Sequence, residues 1–395
     1  MANSPYCFVD DVTVAKGVTL TVEPGVVLQL KQTVYSTDMV GRPTEGIVSH
    51  SLHVNGTLLA DGNIFSTTYG TRISFLQTST GSKIENSEFI GRYYVDVVGC
   101  SPQLKNNSFS GSVTFTLSEG SPIIHGNCFT GLDFISDAFI TVDGGSPVIS
   151  NNTITDDTTV GTFVFLTGTN TAEIYDNNIS GNFDTSAVVI SSGSPLLEHN
   201  FISNHNDVIL PINAVGITIY GNSKPVIKSN TIANNKIGMV VFDSDGSPSL
   251  TVTGNNFEQN SQYNIYLGEE DTYGTTAPDI DATNNWWGTT DESIISQLIF
   301  DYKNNNNLGT ITYNPIFSSH NPLAMPNASP NNQVPSSITL DDSTSQQVST
   351  ENQQTISQDW LYGIIVALAV VVIFLSVLLV ISYKKQRFYS SHLKN

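Results

Sequence analysis

The chain has 395 residues and a formal net charge of −20, and only 13% of its residues are charged. Abundant Asn, Ser, Thr and Gly are typical of β-rich, loop-rich proteins and exclude a coiled coil or a helical bundle. The acidic balance argues against nucleic-acid binding, which needs a basic surface.

The N-terminal segment MANSPYCFVDD lacks the apolar stretch of an export signal. Because Val12 already lies in a strand-like element, we expect a truncated or misassigned start. The alternative is a cytosolic protein with a tail anchor, which would place the C-terminal bases outside.

Repeated motifs run through the middle of the chain, and each has an apolar residue, an Asn and a second apolar residue at fixed distances. Seven segments share this order: SPQLKNNSF (101–109), SPIIHGNCF (121–129), SPVISNNTI (146–154), TAEIYDNNI (171–179), SPLLEHNFI (194–202), KPVIKSNTI (224–232) and SPSLTVTGNNF (247–257). An eighth, APDIDATNNWW (277–287), matches more loosely. Short apolar strands precede most of them, and no window shows a sustained helical period. Since one unit cannot bury its own inner face, the pattern predicts a stacked solenoid.

One Asn occupies the same position in six motifs: Asn107, Asn127, Asn152, Asn177, Asn200 and Asn230. Stacked coils repeat about every 4.8 Å. An inward amide can therefore donate to one neighbouring coil and accept from the other, which predicts an amide ladder. The alternative is that Asn merely favours turns. On the ladder interpretation Asn152 is buried between Asn127 and Asn177, whereas Asn151 points outward and tolerates alanine.

The pattern resembles right-handed parallel β-helix proteins of the pectate-lyase-like superfamily, in the branch of NosD-like and surface proteins. The resemblance covers roughly residues 10–317. It implies an all-β right-handed parallel β-helix solenoid, with N-terminal capping coils at 1–80, repeat coils at 81–288 and a C-terminal cap at 289–317. Segments 10–30 and 52–62 resemble the opening coils. Segment 284–317 resembles the closing element, with a short helix at 291–301 and a final strand that covers the open end.

The C-terminal part has the composition of a stalk and an anchor. Residues 318–359 are rich in Ser, Thr, Asn, Gln and Pro, which predicts a disordered polar stalk. Residues 360–383 carry no charge and are long enough to cross a bilayer as one transmembrane helix. Three bases follow immediately, which predicts a cytoplasmic tail at 384–395 and an extracellular body.

Candidate modification and redox residues are scattered. Glycosylation sequons occur at Asn55, Asn106, Asn151, Asn178 and Asn327. The three cysteines, Cys7, Cys100 and Cys128, are odd in number and show no CxxC spacing. They predict structural thiols and favour neither a disulfide framework nor a zinc site.

The repeat region offers little for catalysis. Enzymes of this fold that act on uronic-acid polymers pair the substrate carboxylate with Lys or Arg. No Lys or Arg occurs from 106 to 223. Asp156 and Asp157, in NTITDD, are the carboxylate candidates for catalysis, and solvated turn acids are the alternative. His125, His199 and His205 are scattered over different coils.

Calcium is the one candidate cofactor, because hard cations take oxygen ligands. Acids recur at similar turn positions: Glu119, Asp143, Asp243 and Asp245. A second cluster is Glu269, Glu270 and Asp271. Plain surface acids are the alternative in so acidic a chain.

Copper and sugar stacking are the remaining possibilities. The NosD resemblance implies copper handling, for which the chain offers only His50 and His53 close together. Trp286 and Trp287 could stack on sugar, although we favour packing of the terminal coil.

The hypothesis that follows is a membrane-anchored extracellular β-helix protein at the cell membrane, single-pass, with a non-catalytic role in surface display, adhesion or glycan binding. Its partners would be the membrane, through 360–383, and an extracellular polysaccharide or a cell-surface partner, with no nucleic acid. The alternative is a membrane-tethered carbohydrate-active enzyme: a polysaccharide lyase, hydrolase or epimerase. An exposed groove of clustered acids and aromatics would favour the enzyme.

Overall fold

Three parallel sheets wind the chain into a right-handed β-helix. The computed structural model describes residues 4–30, 32–37, 43–67, 70–130, 138–156, 161–181, 186–205, 214–221, 223–243, 250–269 and 279–326. Each coil runs from a twelve-stranded sheet to a ten-stranded sheet, then to an eleven-stranded sheet, and back. One such coil consists of Tyr93–Val98, Gln103–Lys105 and Ser108–Ser110. The predicted parallel β-solenoid is confirmed.

The strands are mostly short. The twelve-stranded sheet contains Val12–Val14, Leu52–Val54, Thr71–Phe75, Tyr93–Val98, Val113–Ser118, Ala138–Gly145, Thr162–Asn170, Ser186–Ile190, Val215–Tyr220, Ile237–Asp243, Tyr263–Glu269 and Ile299–Phe300. The ten-stranded sheet contains Thr19–Val22, Thr57–Asp61, Lys83–Glu85, Gln103–Lys105, Ile123–His125, Val148–Ser150, Glu173–Tyr175, Leu196–Glu198, Val226–Lys228 and Thr251–Thr253. The eleven-stranded sheet contains Tyr6–Phe8, Val27–Leu30, Ile64–Ser66, Glu88–Ile90, Ser108–Ser110, Cys128–Thr130, Thr153–Asp156, Asn178–Gly181, Phe201–Ser203, Thr231–Ala233 and Asn256–Glu258. An antiparallel hairpin, Gln32–Thr37 with Pro43–Ser49, interrupts the coils near the N-terminus.

The core is a column of stacked side chains along the axis. Strand Val113–Ser118 shows the principle, since its buried residues alternate with half-exposed ones. In the eleven-stranded sheet one inward residue of each strand stacks on its equivalent in the next coil. Phe65 lies 4.6 Å from Phe89, Phe89 lies 4.6 Å from Phe109, and Phe109 lies 5.0 Å from Phe129 between ring centroids. Apolar burial of this kind drives the stacking of coils that could not fold singly.

The turn between the ten-stranded and eleven-stranded sheets has a fixed conformation. The residue before each inward Asn of the motifs, and before the buried Ser87 of the preceding coil, has positive φ, between 49° and 71°: Asn86, Asn106, Gly126, Asn151, Asp176, His199, Ser229, Gly254 and Asn284. Asn, Asp and Gly tolerate this left-handed conformation best. The Asn-Asn pairs of the motifs therefore combine a turn residue with an inward residue.

The C-terminal cap contains the one helix found among the described residues, Glu292–Gln297. The Asp291 carboxylate accepts from the Ser293 N–H and caps its N-terminus. The predicted helix over 291–301 is shortened because Ile299–Phe300 instead pairs with Ile265 and Tyr266 of the twelve-stranded sheet. The final strand, Ile311–Thr312, pairs with Ile280–Asp281.

The packed part of the cap extends past residue 317, where the sequence predicts its end. Residues 318–326, which their composition assigns to the stalk, pack on earlier coils, and Ala324 is fully buried. Within the described ranges no helix is both long and apolar enough to cross a membrane. The predicted transmembrane helix at 360–383, the tail at 384–395 and the stalk beyond 326 lie outside those ranges.

Candidate functional site

The six predicted Asn residues form one buried column of amides. Each Nδ2 donates to the Oδ1 of the Asn in the next coil, at 2.9–3.1 Å, from Asn107 as far as Asn230. Each Oδ1 also accepts the backbone N–H of the preceding Asn, and each Nδ2 also donates to a carbonyl of the preceding coil, as Asn152 does to Ile124. The amides thus satisfy backbone groups that would otherwise be buried unpaired.

The ladder is longer than the sequence motif indicated. Asn230 donates to Asn255 at 3.0 Å, and Asn255 donates to Asn285 at 3.1 Å. At the other end the Asn107 Oδ1 accepts the N–H of Ser87. The signal for Asn255 was present in SPSLTVTGNNF, where two extra residues shift the amide by two positions.

Asn151 does not behave as an ordinary surface residue. It is half-buried and has φ of 58°. Alanine lacks the short polar side chain that lets Asn adopt the left-handed region, where an L-residue without such compensation costs about 1–2 kcal/mol. The expected tolerance of alanine at this position is therefore withdrawn, and glycine is the neutral replacement.

The calcium candidates are not brought together. Asp143 pairs with Ser118 in register, which places it beside Glu119 on the neighbouring coil. The Glu119 carboxylate leans towards Gly99 on the preceding coil, whereas the Asp143 carboxylate leans towards Gly168 on the following coil. No group of three or more His, Cys, Asp or Glu side chains within the described residues could hold a metal ion.

The other acidic candidates fall where the structure describes no side chain. Asp156 ends a strand of the eleven-stranded sheet, and Asp243 and Glu269 end strands of the twelve-stranded sheet. Asp157, Asp245, Glu270 and Asp271 lie outside the described residues.

The histidines occupy separate surroundings. His125 Nδ1 lies 2.9 Å from Ser150 Oγ, and burial followed by the charge of Lys105 lowers the pKa of His125. His205 is fully buried, and this burial lowers its pKa to about 3. His50 is buried and His53 half-exposed, so this pair does not present two copper ligands to one side.

The tryptophans differ in role. Trp287 is buried and stacks on Phe257 at 5.3 Å, so the predicted packing of the terminal coil is confirmed for this residue. Trp286 is half-buried and donates from Nε1 to Glu258 at 3.2 Å.

The sequon residues also differ in accessibility. Asn106 is exposed, whereas Asn55, Asn151 and Asn178 are half-buried. Asn327 lies outside the described residues.

A polar and aromatic patch lies on the outer face of the twelve-stranded sheet, near its N-terminal end. We call its side chains the Arg72 patch: His53, Arg72, Ser74, Tyr94 and Asp96. They come from three adjacent strands, in which Ser74 is in register with both His53 and Asp96, and Arg72 is in register with Tyr94. Alternation along each strand directs them all away from the core.

Asp96 organises the Arg72 patch. Its Oδ2 pairs with the Arg72 guanidinium and accepts from Ser74 Oγ at 3.4 Å. The guanidinium also lies over the Tyr94 ring, 5.6 Å from the centroid. The Arg72 side chain is 49% exposed and Tyr94 is 37% exposed, so both remain open to a ligand.

Gly70 makes room for this arrangement. A Cβ at Gly70 would lie 2.7 Å from Tyr94 Cε2 and 3.5 Å from Arg92 Cδ. Tyr94 and the exposed Arg92 therefore both extend across the glycine. Arg72 and Arg92 are the two arginines of the described part of the chain, and they flank one exposed ring.

A family model described as the right handed beta helix region matches residues 46–206 and 191–286. These matches together cover 46–286, which is more than half of the 395 residues. The chain belongs to the right-handed β-helix family. Searches of curated proteins and of solved structures find no match.

The outer face of this β-helix can bind but offers limited chemistry. A guanidinium has five N–H donors, and Asp96 does not engage them all, so Arg72 can still grip an oxyanion or a hydroxyl. Tyr94 adds an apolar ring surface beside these donors. His53 adds a half-exposed imidazole to the Arg72 patch.

The Arg72 patch was missed by motif reading because its members are about 20 residues apart and belong to no repeated position. Only the strand register brings them together. The sequence signal was the clustering of Arg72 and Arg92 in a chain with few bases.

Proposed function

We propose that this β-helix protein binds an extended extracellular glycan on the outer face of its twelve-stranded sheet, without cleaving it. The observation that carries the proposal is the Arg72 patch, with a half-exposed guanidinium held by Asp96 against an exposed tyrosine ring. Sugars present apolar faces to aromatic rings and hydroxyls or carboxylates to guanidinium groups.

Sugars with carboxylate or sulfate groups fit the Arg72 patch best. Arg72 and Arg92 concentrate positive charge on one face of a chain whose net charge is −20. Charge-assisted hydrogen bonds from guanidinium to an oxyanion are about twice as strong as neutral ones. A neutral glycan would gain only the contact with the tyrosine ring and the hydroxyl bonds.

The experiment is binding of the full-length chain, in detergent, to an array of neutral, carboxylated and sulfated glycans. We expect binding to the anionic members and a loss of at least tenfold in affinity for Arg72→Gln. Lys83→Gln is the matched control, because it removes one exposed positive charge from the ten-stranded sheet. Absence of glycan binding, or equal loss in both variants, would overturn the proposal.

The proposal includes membrane anchoring, with the β-helix outside, the helix at 360–383 in the bilayer and the tail in the cytoplasm. It is supported by the uncharged length of that segment and the three bases that follow it. Protease added to intact cells should release the β-helix by cutting within 327–359. Protection of the β-helix until lysis would contradict this orientation.

The assignment to the NosD-like and surface-protein branch belongs to the same proposal and rests on the resemblance of the motifs. Calcium is retained only as a proposed bound ion of the acidic turns. Removal of calcium by chelation should lower the melting temperature if such a site is occupied.

One observation favours the enzyme alternative. His53 and Asp96 flank the buried Ser74 in register on adjacent strands of the outer face, which would bring an imidazole and a carboxylate close to a bound polymer. We nevertheless expect no release of unsaturated or reducing ends from pectate, alginate or polygalacturonate. Cleavage that disappears in Asp96→Asn, Asp156→Asn or Asp157→Asn would establish the enzyme instead.

A further inference from the structure

After the final coil the chain doubles back along the outer face of the eleven-stranded sheet. We call residues 318–326 the strap. Phe317 N–H donates to Asn285 O at the last rung of the ladder. Asn321 then contacts Asn256 on the previous coil, and Ala324 contacts Thr231 on the coil before that. The strap therefore runs back over two coils towards the N-terminus.

The strap is held by side chains that point out of the sheet. Asn256 Oδ1 accepts the Asn321 N–H at 2.8 Å, and Asn256 Nδ2 donates to the Asn321 carbonyl at 3.0 Å. One amide side chain thus pairs with both backbone groups of a single residue. Asn321 Nδ2 donates to Gly254 O at 2.6 Å, and Thr231 Oγ1 donates to Ala324 O.

Burial and charge reinforce these bonds. Asn256 and Thr231 lie on the outer face, yet they are 0% and 2% exposed because the strap covers them. The Glu258 carboxylate contacts His320 Nδ1 at 3.4 Å while it accepts from Trp286 Nε1 at 3.2 Å. Hydrogen bonds shielded from water in this way are stronger than exposed ones.

We propose that the strap is a latch that resists mechanical tension. The rest of the chain, 327–395, follows it, so tension on that part enters the β-helix through the strap and not through its final coil. Without the latch the same tension would pull at residue 317 and peel Ile311–Thr312 from Ile280–Asp281. The proposed membrane anchoring would supply the natural source of tension, and the latch rests on that proposal in this respect alone. The experiment applies the tension directly, so it tests the latch independently of the anchoring.

The test is single-molecule pulling of the full chain with magnetic tweezers. Cys7→Ser leaves Cys128 as the exposed thiol of the described part, and one handle is attached there. The second handle is attached at the C-terminus. We expect a first, reversible release of the strap, lengthening the chain by roughly 20–30 Å, before any larger unravelling.

Asn256→Ala and Asn321→Ala test the latch from its two sides, and Asn321→Ala leaves every coil intact. Each should shorten the lifetime of the latched state at constant force at least tenfold, without moving the later unravelling. Asn178→Ala is the matched control, since Asn178 also begins a strand of the eleven-stranded sheet but does not touch the strap. A wild-type trace without the first release, or equal lifetimes in Asn321→Ala and Asn178→Ala, would overturn the latch.

Discussion

Replacement of Asn152 by leucine should destabilise the β-helix through the backbone groups that the amide serves. Its Oδ1 accepts the Asn127 N–H at 2.9 Å and the Asn127 Nδ2 at 3.0 Å. Its Nδ2 donates to Ile124 O at 2.9 Å and to Asn177 Oδ1 at 3.0 Å. Leucine is close in size but offers none of these groups, so packing is largely kept while the bonds are lost.

Two buried backbone groups lose a partner in Asn152→Leu: the Asn127 N–H and the Ile124 carbonyl. A buried group left unsatisfied costs about 1–3 kcal/mol. The Asn177 amide still receives the backbone N–H of residue 152 at 3.0 Å, so we do not add a cost for it. The free energy of unfolding should therefore fall by roughly 2–6 kcal/mol.

The assay is urea unfolding followed by circular dichroism, with Asn151→Gly as the control. Asn151 is the adjacent residue, and glycine adopts its positive φ without strain, so its unfolding free energy should change by about 0.5 kcal/mol or less. Equal losses in Asn152→Leu and Asn151→Gly would show that the ladder contributes nothing beyond its turn.

Two further predictions concern buried titratable groups. His205 has a folded pKa of about 3 and an ordinary value of 6.5, so the unfolded chain takes up the proton first as the pH falls. The contribution of His205 to the free energy of unfolding is therefore present above the unfolded pKa and is lost as the pH falls below it. The loss amounts to about 2 kcal/mol between pH 7 and pH 5. Urea unfolding at pH 7 and pH 5 should show this loss of stability, and the His205→Gln variant should lose less stability between the two pH values. An unchanged pH dependence in the variant would contradict the assignment of the loss to His205. Cys7 and Cys128 are exposed, whereas Cys100 is buried. Burial raises the pKa of both Cys100 and Cys128, so accessibility is what distinguishes these two thiols. A thiol reagent should therefore label two cysteines in the native chain and three after denaturation, and native labelling of three would contradict the burial.

Much of the repeat region could be predicted because its physics is periodic. The motifs place an apolar residue and an Asn at fixed distances. When the coils stack, the equivalent residues of successive motifs must lie next to each other. The fixed spacing therefore predicts the register of the ladder from Asn107 to Asn230. Asn255 and Asn285 were missed because insertions shift the amide along the motif while the ladder itself continues.

The features on which the two proposals rest could not be predicted in the same way. The Arg72 patch takes its five residues from three adjacent strands, at positions that the repeat leaves free to vary. The strap has the polar composition of a stalk. Because side-chain amides hold it through its backbone, its packing does not require an apolar sequence. Neither hydrophobic period nor motif spacing reports such contacts.

The ladder also explains how a protein of this kind can change its length. Successive amides are 20, 25, 25, 23, 30, 25 and 30 residues apart in sequence, yet every Nδ2–Oδ1 distance stays between 2.9 and 3.1 Å. Each rung needs only an equivalent neighbour above and below, so whole coils can be duplicated or removed without new chemistry. The length of the β-helix can therefore change during evolution in steps of about 4.8 Å per coil. Residues inserted between successive ladder positions can meanwhile form new surfaces without disturbing the ladder.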